Sequence, residues 1–191
     1  MTDAAPPLMP AFIETARLIL RPPAPTDAPA VTLHLSDPDI NGNLLRPPLP
    51  YTLPDAEAWI TSSAERRTND EGYVYAITLR TDPDTLIGAI GVHPEPPHAR
   101  AEFGYWLARE HWGAGITTEA AAALLPIAFA NLPLERIHAG HYHWNPASGR
   151  VLLRLGFKFE GIQRSHIFRH GRRGDLHLYG LLRTEYTPPA P

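Results

Sequence analysis

Two groups of residues in this chain have the types and spacing that chemistry needs. The first is Trp112-Gly113-Ala114-Gly115-Ile116-Thr117, followed by Thr118 and the helix-forming run Glu119-Ala-Ala-Ala-Ala-Leu-Leu. Glycines where a helix begins remove Cβ obstruction, so unpaired N–H groups can converge on an anion while the helix dipole adds partial positive charge. That is the arrangement of a phosphate seat. The second group can move protons. Glu102 precedes the glycines in an aromatic stretch, and a carboxylate there with a raised pKa could accept a proton through water. The other reading of Glu102 is a surface or ion-paired residue. His141 and His143 share one strand face just before Asn145, and a histidine titrates near neutrality, so His141 is a second candidate base. Ser148 stands in Asn145-Pro-Ala-Ser148-Gly-Arg-Val-Leu-Leu-Arg-Leu-Gly156-Phe157. By itself it reads as a first-turn residue behind an Asn145 N-cap.

Spacing separates the possible glycine loops. A Walker loop ends Gly-Lys-Ser/Thr, and no lysine follows these glycines. A dinucleotide fingerprint needs a third glycine where Thr118 stands and an acid at the end of the next strand; Glu135 has the distance but lies at that strand's beginning. Paired histidines without a third ligand give no metal site. Trp106, Trp112 and Trp144 read as core or pocket wall.

These residues need a scaffold, and 191 residues suffice for one domain with a substantial core. With no cysteine, disulfides, thiolate metal sites and a cysteine nucleophile are excluded. A balance of 17 basic against 20 acidic residues points to neither nucleic acid nor membrane as a partner. No apolar run reaches spanning length and no export signal opens the chain, so a soluble, cytoplasmic protein is expected. The proline-rich tips 1–12 and 187–191 are expected to be disordered around a single domain at 13–186.

The expected elements alternate in type. Strands are read at 17–21, 73–80, 86–92, 102–107 and 136–143, with a final hairpin over 157–168 and 175–183 turning through His170–Gly174. Helices are read at about 26–35, capped by Thr26 and Asp27, at 55–67, from the glycine loop to about Phe129 despite Pro126, and at 147–155, closed by Gly156. Residues 37–54 read as an irregular loop. Strand, glycine loop, helix and strand make a β-α-β crossover around the phosphate seat. The whole implies a mixed α/β (α+β) domain with a largely antiparallel sheet.

The two motifs in this order resemble the GNAT acyl-CoA N-acyltransferase superfamily, and its RimJ/RimL-like ribosomal-protein N-terminal acetyltransferase branch. Tyr105-Trp-Leu…Trp112-Gly-x-Gly matches that branch's loop, and Asn145-x-x-Ser148…Leu155-Gly-Phe its following segment. The likeness starts near Glu14-Thr-Ala-Arg-Leu-Ile-Leu and covers most of the chain. It implies a GNAT fold whose two crossover strands splay to admit the pantetheine arm of acetyl-CoA. Trp106, Leu107 and Ala108 would lend backbone groups to that arm. Trp112, Gly113, Ala114, Gly115, Ile116, Thr117 and Thr118 would form the pyrophosphate loop, Asn145 would bond the arm, and Ser148 would lie near the sulfur. Three positions depart from the superfamily pattern: Trp112 replaces a Gln or Arg, a departure usual in that branch, Thr117 replaces a glycine or alanine, and Leu152 stands where many members have a catalytic tyrosine.

The implied activity is direct acetyl transfer from acetyl-CoA to a primary amine, a protein N-terminus or a small molecule, without metal. A backbone N–H near Leu107 would hold the oxyanion, Ser148 would substitute for the missing acid, and Glu102 or His141 would be the base. Thr117 and Leu152 favour the alternative, a non-catalytic acyl-CoA-binding sensor. Related enzymes are monomers or homodimers.

Overall fold

The computed structural model describes residues 8–187. Its strands are β1 (Ile13–Glu14), β2 (Leu18–Arg21), β3 (Tyr73–Leu79), β4 (Gly88–Glu95), β5 (Arg100–Leu107), β6 (Arg136–Tyr142), β7 (Lys158–Arg169) and β8 (Arg172–Leu182). Its helices are α1 (Ala28–Leu35), α2 (Pro38–Asn41), α3 (Leu53–Thr68), α4 (Ile116–Asn131) and α5 (Pro146–Arg154). All eight strands join one sheet in the order β1-β2-β3-β4-β5-β6-β8-β7. Only β5 and β6 run parallel, because α4 carries the chain back between them.

Alternating residues supply two cores, one on each face. On one face Ala101, Phe103, Ile137 and Ala139 pack with Ala120, Leu124 and Leu125 of α4 and Leu152 of α5. On the other, Ala76 and Leu86 pack with Val31 of α1 and Ala56 and Ile60 of α3. Fully burying one such aliphatic side chain stabilises the fold by roughly 1.5–3 kcal/mol. Residue parity along β5 therefore decides which layer a side chain meets.

The mixed, mostly antiparallel sheet and its central crossover are as the sequence implies, with differences at the edges. Met9 is buried against this core and Pro10 accepts a hydrogen bond from the Tyr75 hydroxyl at 2.6 Å, so packing begins inside the tip expected to be disordered. Residues 1–7 and 188–191 lie outside the described residues. Asp27 does not cap α1 with its side chain; buried, it takes two hydrogen bonds of 2.8 Å from Arg21. The hairpin turn shrinks to His170-Gly171, because Arg172, Arg173 and Gly174 pair with Arg169, Phe168 and Ile167. Both turn residues have positive φ, 49° and 74°, the geometry of a two-residue primed turn. Residues 37–54 are less irregular than expected: fully buried Asn41 ends α2 and donates to the carbonyls of Leu35 and Pro48 at 2.9 and 2.8 Å. Arg169 of the hairpin donates back to Asn41 Oδ1 at 2.7 Å.

Candidate active site

β5 and β6 pair only through Arg100–Arg136, Ala101–Ile137 and Glu102–His138. Beyond Glu102, β5 stays on β4 and β6 stays on β8, so the sheet forks. The Ala108 N–H donates to Ile87 at 2.8 Å, which fixes the alternation along β5: even-numbered residues bond β4, and the N–H and C=O groups of Tyr105 and Leu107 face the fork without a strand partner. Of the three residues expected to lend backbone groups, Leu107 therefore faces the opening, while Trp106 and Ala108 are committed to β4. The Trp106 side chain packs on the α1–α3 side.

The glycine loop closes the fork from one end. Gly113 and Gly115 have φ of 76° and 75°, a left-handed conformation that other residues rarely adopt. Gly115 is the N-cap of α4 and supplies no side chain, so the first-turn N–H groups of Ile116, Thr117 and Thr118 point out of the helix uncapped. Trp112 folds back and its indole N–H donates to the Leu107 carbonyl at 2.8 Å, tying the loop to the strand end. Arg17, which the motif did not include, donates to the Ala114 carbonyl at 3.0 Å and to Glu119 at 2.6 Å. Burial pushes the Glu119 carboxyl up, but hydrogen bonds from Thr15 and Arg17 outweigh it and hold it below the usual range. Being paired, this first-turn acid does not cancel the positive pole of α4. The side chain of Ile116 is buried, so only its backbone reaches the seat. A cleft of about 330 Å³ adjoins at Thr118 and is lined by Ala122, Arg154, Leu155 and Gly156 among others.

α5 supplies the opposite wall. Asn145 is its N-cap and accepts from the Ser148 N–H at 3.3 Å, which leaves its amide N–H groups to donate outward. Ser148 Oγ lies 2.8 Å from the hydroxyl of Tyr105. Burial pushes the Tyr105 phenol up to about 12. Leu152 is fully buried in the core and offers no proton.

Glu102 lies across the sheet from this pair. Its β5 neighbours Ala101 and Phe103 belong to the α4 face, so Glu102, Gly104 and Trp106 belong to the other. Its carboxylate, 47% exposed, pairs with Arg46 at 2.9 Å, and Arg46 comes from the loop after α2. His93, the cross-strand partner of Glu102, is held below the ordinary histidine value by burial.

His141 is not in this group, which corrects its reading as a base. It faces α5, is 6% exposed, and uses Nδ1 on the Tyr142 carbonyl at 2.8 Å and Nε2 on the Tyr179 hydroxyl at 3.3 Å. Burial lowers its pKa, so it is a neutral packing residue beneath Gly149, where a Cβ would come within 2.5 Å of Nε2. His143 accepts from the Asp175 N–H at 3.0 Å. Among the described residues, no three His, Cys, Asp or Glu side chains cluster as a metal site.

The structure thus brings together the glycine loop, Leu107, Asn145 and Ser148 on one side of the fork and Glu102 on the other, and leaves His141 out. Tyr105, Arg17 and Arg46 escape sequence reasoning because their partners lie 43, 102 and 56 residues away.

Residues 17–158 match the family model of the acetyltransferase (GNAT) domain. The uncharacterized N-acetyltransferase YoaA of Bacillus subtilis strain 168 is 32% identical over 173 residues, covering 90% of this chain and 97% of the relative. The ribosomal-protein-serine acetyltransferase of Escherichia coli K12 is 37% identical over 100 residues, 52% of this chain and 56% of that protein. RimL, a ribosomal L7/L12 alpha-N-protein acetyltransferase solved with coenzyme A, superposes with a TM-score of 0.81 over 90% of this chain and 97% of its own; at 20% identity it speaks for the fold. The forked sheet, the glycine loop at the head of α4 and these matches together make the chain an N-acetyltransferase that belongs to the GNAT superfamily.

Proposed function

We propose that this protein transfers the acetyl group of acetyl-CoA directly to a primary amine that approaches from the Glu102 side, a protein N-terminal α-amine or the amine of a small molecule. What carries the reading is the fork beyond Glu102 with uncapped helical N–H groups at its end. A pyrophosphate fits such a seat, because converging N–H groups and a helix dipole favour a compact anion. Arg154 in the adjoining cleft supports a place for the adenosine end.

Each step has a residue suited to it. The Leu107 N–H, free of strand pairing, would stabilise the oxyanion, and fixed donors of this kind are worth roughly 2.7–4 kcal/mol in acyl transfer. Asn145 would orient the pantetheine arm. Glu102 would draw the amine in as a cation in place of the Arg46 guanidinium and accept its proton through water. An α-amine, with pKa about 8 against about 10.4 for lysine, needs less deprotonation and suits a half-exposed carboxylate. The relationship to a ribosomal-protein-serine acetyltransferase supports a protein N-terminus as acceptor. The absence of cysteine supports direct transfer over an acyl-cysteine route.

Calorimetric titration with acetyl-CoA, with NAD and ATP as controls, tests the seat. Acetyl-CoA should bind, and Gly115→Glu should lower affinity by at least about 100-fold, since it adds a carboxylate and strains the left-handed N-cap. No acetyl-CoA binding by the wild type would refute the reading. Binding without thiol release across a broad amine panel would instead mark a non-catalytic acyl-CoA sensor.

A further inference from the structure

The Tyr105 hydroxyl lies 2.8 Å from Ser148 Oγ and 3.1 Å from the Ser148 carbonyl oxygen. These are unlike partners. A carbonyl only accepts, so Tyr105 can bond it only as a donor, whereas a hydroxyl both donates and accepts. Each hydroxyl owns one proton, so two arrangements satisfy the contacts. In the first, Tyr105 donates to the carbonyl and Ser148 donates to Tyr105, which consumes the serine proton. In the second, Tyr105 donates to Ser148 Oγ and the serine O–H is free to point into the fork. The Ser148 carbonyl lies inside α5 and keeps a helical partner in either case.

We propose that Tyr105 is a positioning residue for acyl transfer: with a thioester bound, its O–H turns from the Ser148 carbonyl to Ser148 Oγ and thereby aims the serine O–H at the departing sulfur. The proposal rests on the acyl-transfer reading above. The amine nitrogen forms a bond to the thioester carbonyl carbon, and the C–S bond breaks with its electron pair remaining on sulfur. The arriving ammonium gives one proton through water to Glu102, which passes it on to solvent, and the second proton, shed from nitrogen as the amide forms, leaves by the same route. The sulfur departs as a thiolate held by the Ser148 O–H and takes a proton from solvent on release, so Ser148 and Tyr105 end with the protons they began with.

Burial keeps the Tyr105 phenol protonated far above neutral pH, and an aliphatic hydroxyl parts with its proton less readily still. The pair is therefore a hydrogen-bond donor to an anion, strengthened because Ser148 accepts from Tyr105 while it donates. That revises the role of Ser148 from acid to donor.

The Tyr105 ring packs edge-on against Phe103 at 5.6 Å, so Tyr105→Phe keeps the ring and deletes only the hydroxyl. The test is thiol release from acetyl-CoA, with the most active acceptor of an amine panel, by wild type, Tyr105→Phe, Ser148→Ala and the double variant. The chain has no cysteine, so every thiol detected belongs to coenzyme A. Tyr105→Phe should lower kcat by about tenfold and leave the KM for acetyl-CoA within about twofold, and the double variant should be no slower than Ser148→Ala. Thermal midpoints measured alongside show that every variant compared is folded. Equal losses from Tyr105→Phe with and without Ser148, a wild-type kcat for Tyr105→Phe, or a loss confined to KM would overturn the proposal and leave the acyl-transfer reading standing. Failure of the wild type both to bind acetyl-CoA and to release thiol would overturn the two together.

Discussion

The two sides of the fork are built from opposite materials. On the α5 side, Tyr105, Ser148, His141 and Tyr179 are neutral, at least half-buried and hydrogen-bonded to one another or to backbone. On the α1–α3 side, Glu102 and Arg46 are charged, exposed to 47% and 65% on their side chains, and joined across water-facing space. The difference suits what the proposed reaction asks of each side. A thioester and its leaving sulfur are stabilised by fixed donors in a dry setting, where hydrogen bonds are strongest. An amine arrives from solvent as a cation and must lose a proton, which calls for a reachable carboxylate.

The sharpest way to break this comparison is to neutralise the charged side. Glu102→Gln should lower kcat/KM for the amine by about 100-fold while acetyl-CoA affinity, measured by titration, stays unchanged. A matching loss of acetyl-CoA affinity would mean that the two sides do not work separately.

The neutral side makes a smaller, pH-dependent mark on stability. Because the folded pKa of His141 is depressed below its ordinary 6.5, the unfolded chain binds the proton more readily. The histidine is no burden above pH 6.5, and stability falls as pH drops below that value toward the depressed folded pKa. Denaturant midpoints should therefore be lower at pH 5.5 than at 7.5, and His141→Gln should flatten the difference, with His93 supplying a residual slope. An unaltered slope in the variant would count against a buried neutral histidine.

The smallest effect belongs to Arg46. An exposed ion pair contributes about 0–1 kcal/mol, so Arg46→Gln should scarcely move the thermal midpoint. Freed of its internal partner, Glu102 should bind the amine somewhat better, with KM for the acceptor falling about two- to threefold. A rise in that KM would instead make Arg46 part of the acceptor's own binding site.

Much of the local structure around the candidate site was legible in the sequence, for local reasons. Gly113 and Gly115 announce their left-handed turn, the alanine run announces α4, and Asn145 announces the cap of α5; each depends on neighbours a few residues away. The histidine reading failed for the same reason that it was made. Alternation puts His141 and His143 on one strand face but does not say which layer that face meets, and α5 covers it.

The sequence by itself determined the family, the left-handed glycine turn at the head of α4 and the parity that separates Glu102 from Tyr105, because periodicity and glycine conformations are properties of short stretches of chain. Tertiary structure alone decided that β5 and β6 part just after Glu102, that the Tyr105 hydroxyl meets Ser148, and that Arg46 reaches Glu102 over a loop held by Asn41 and Arg169. Those contacts join residues far apart in the chain, and their geometry follows from how whole layers pack, which no local pattern encodes.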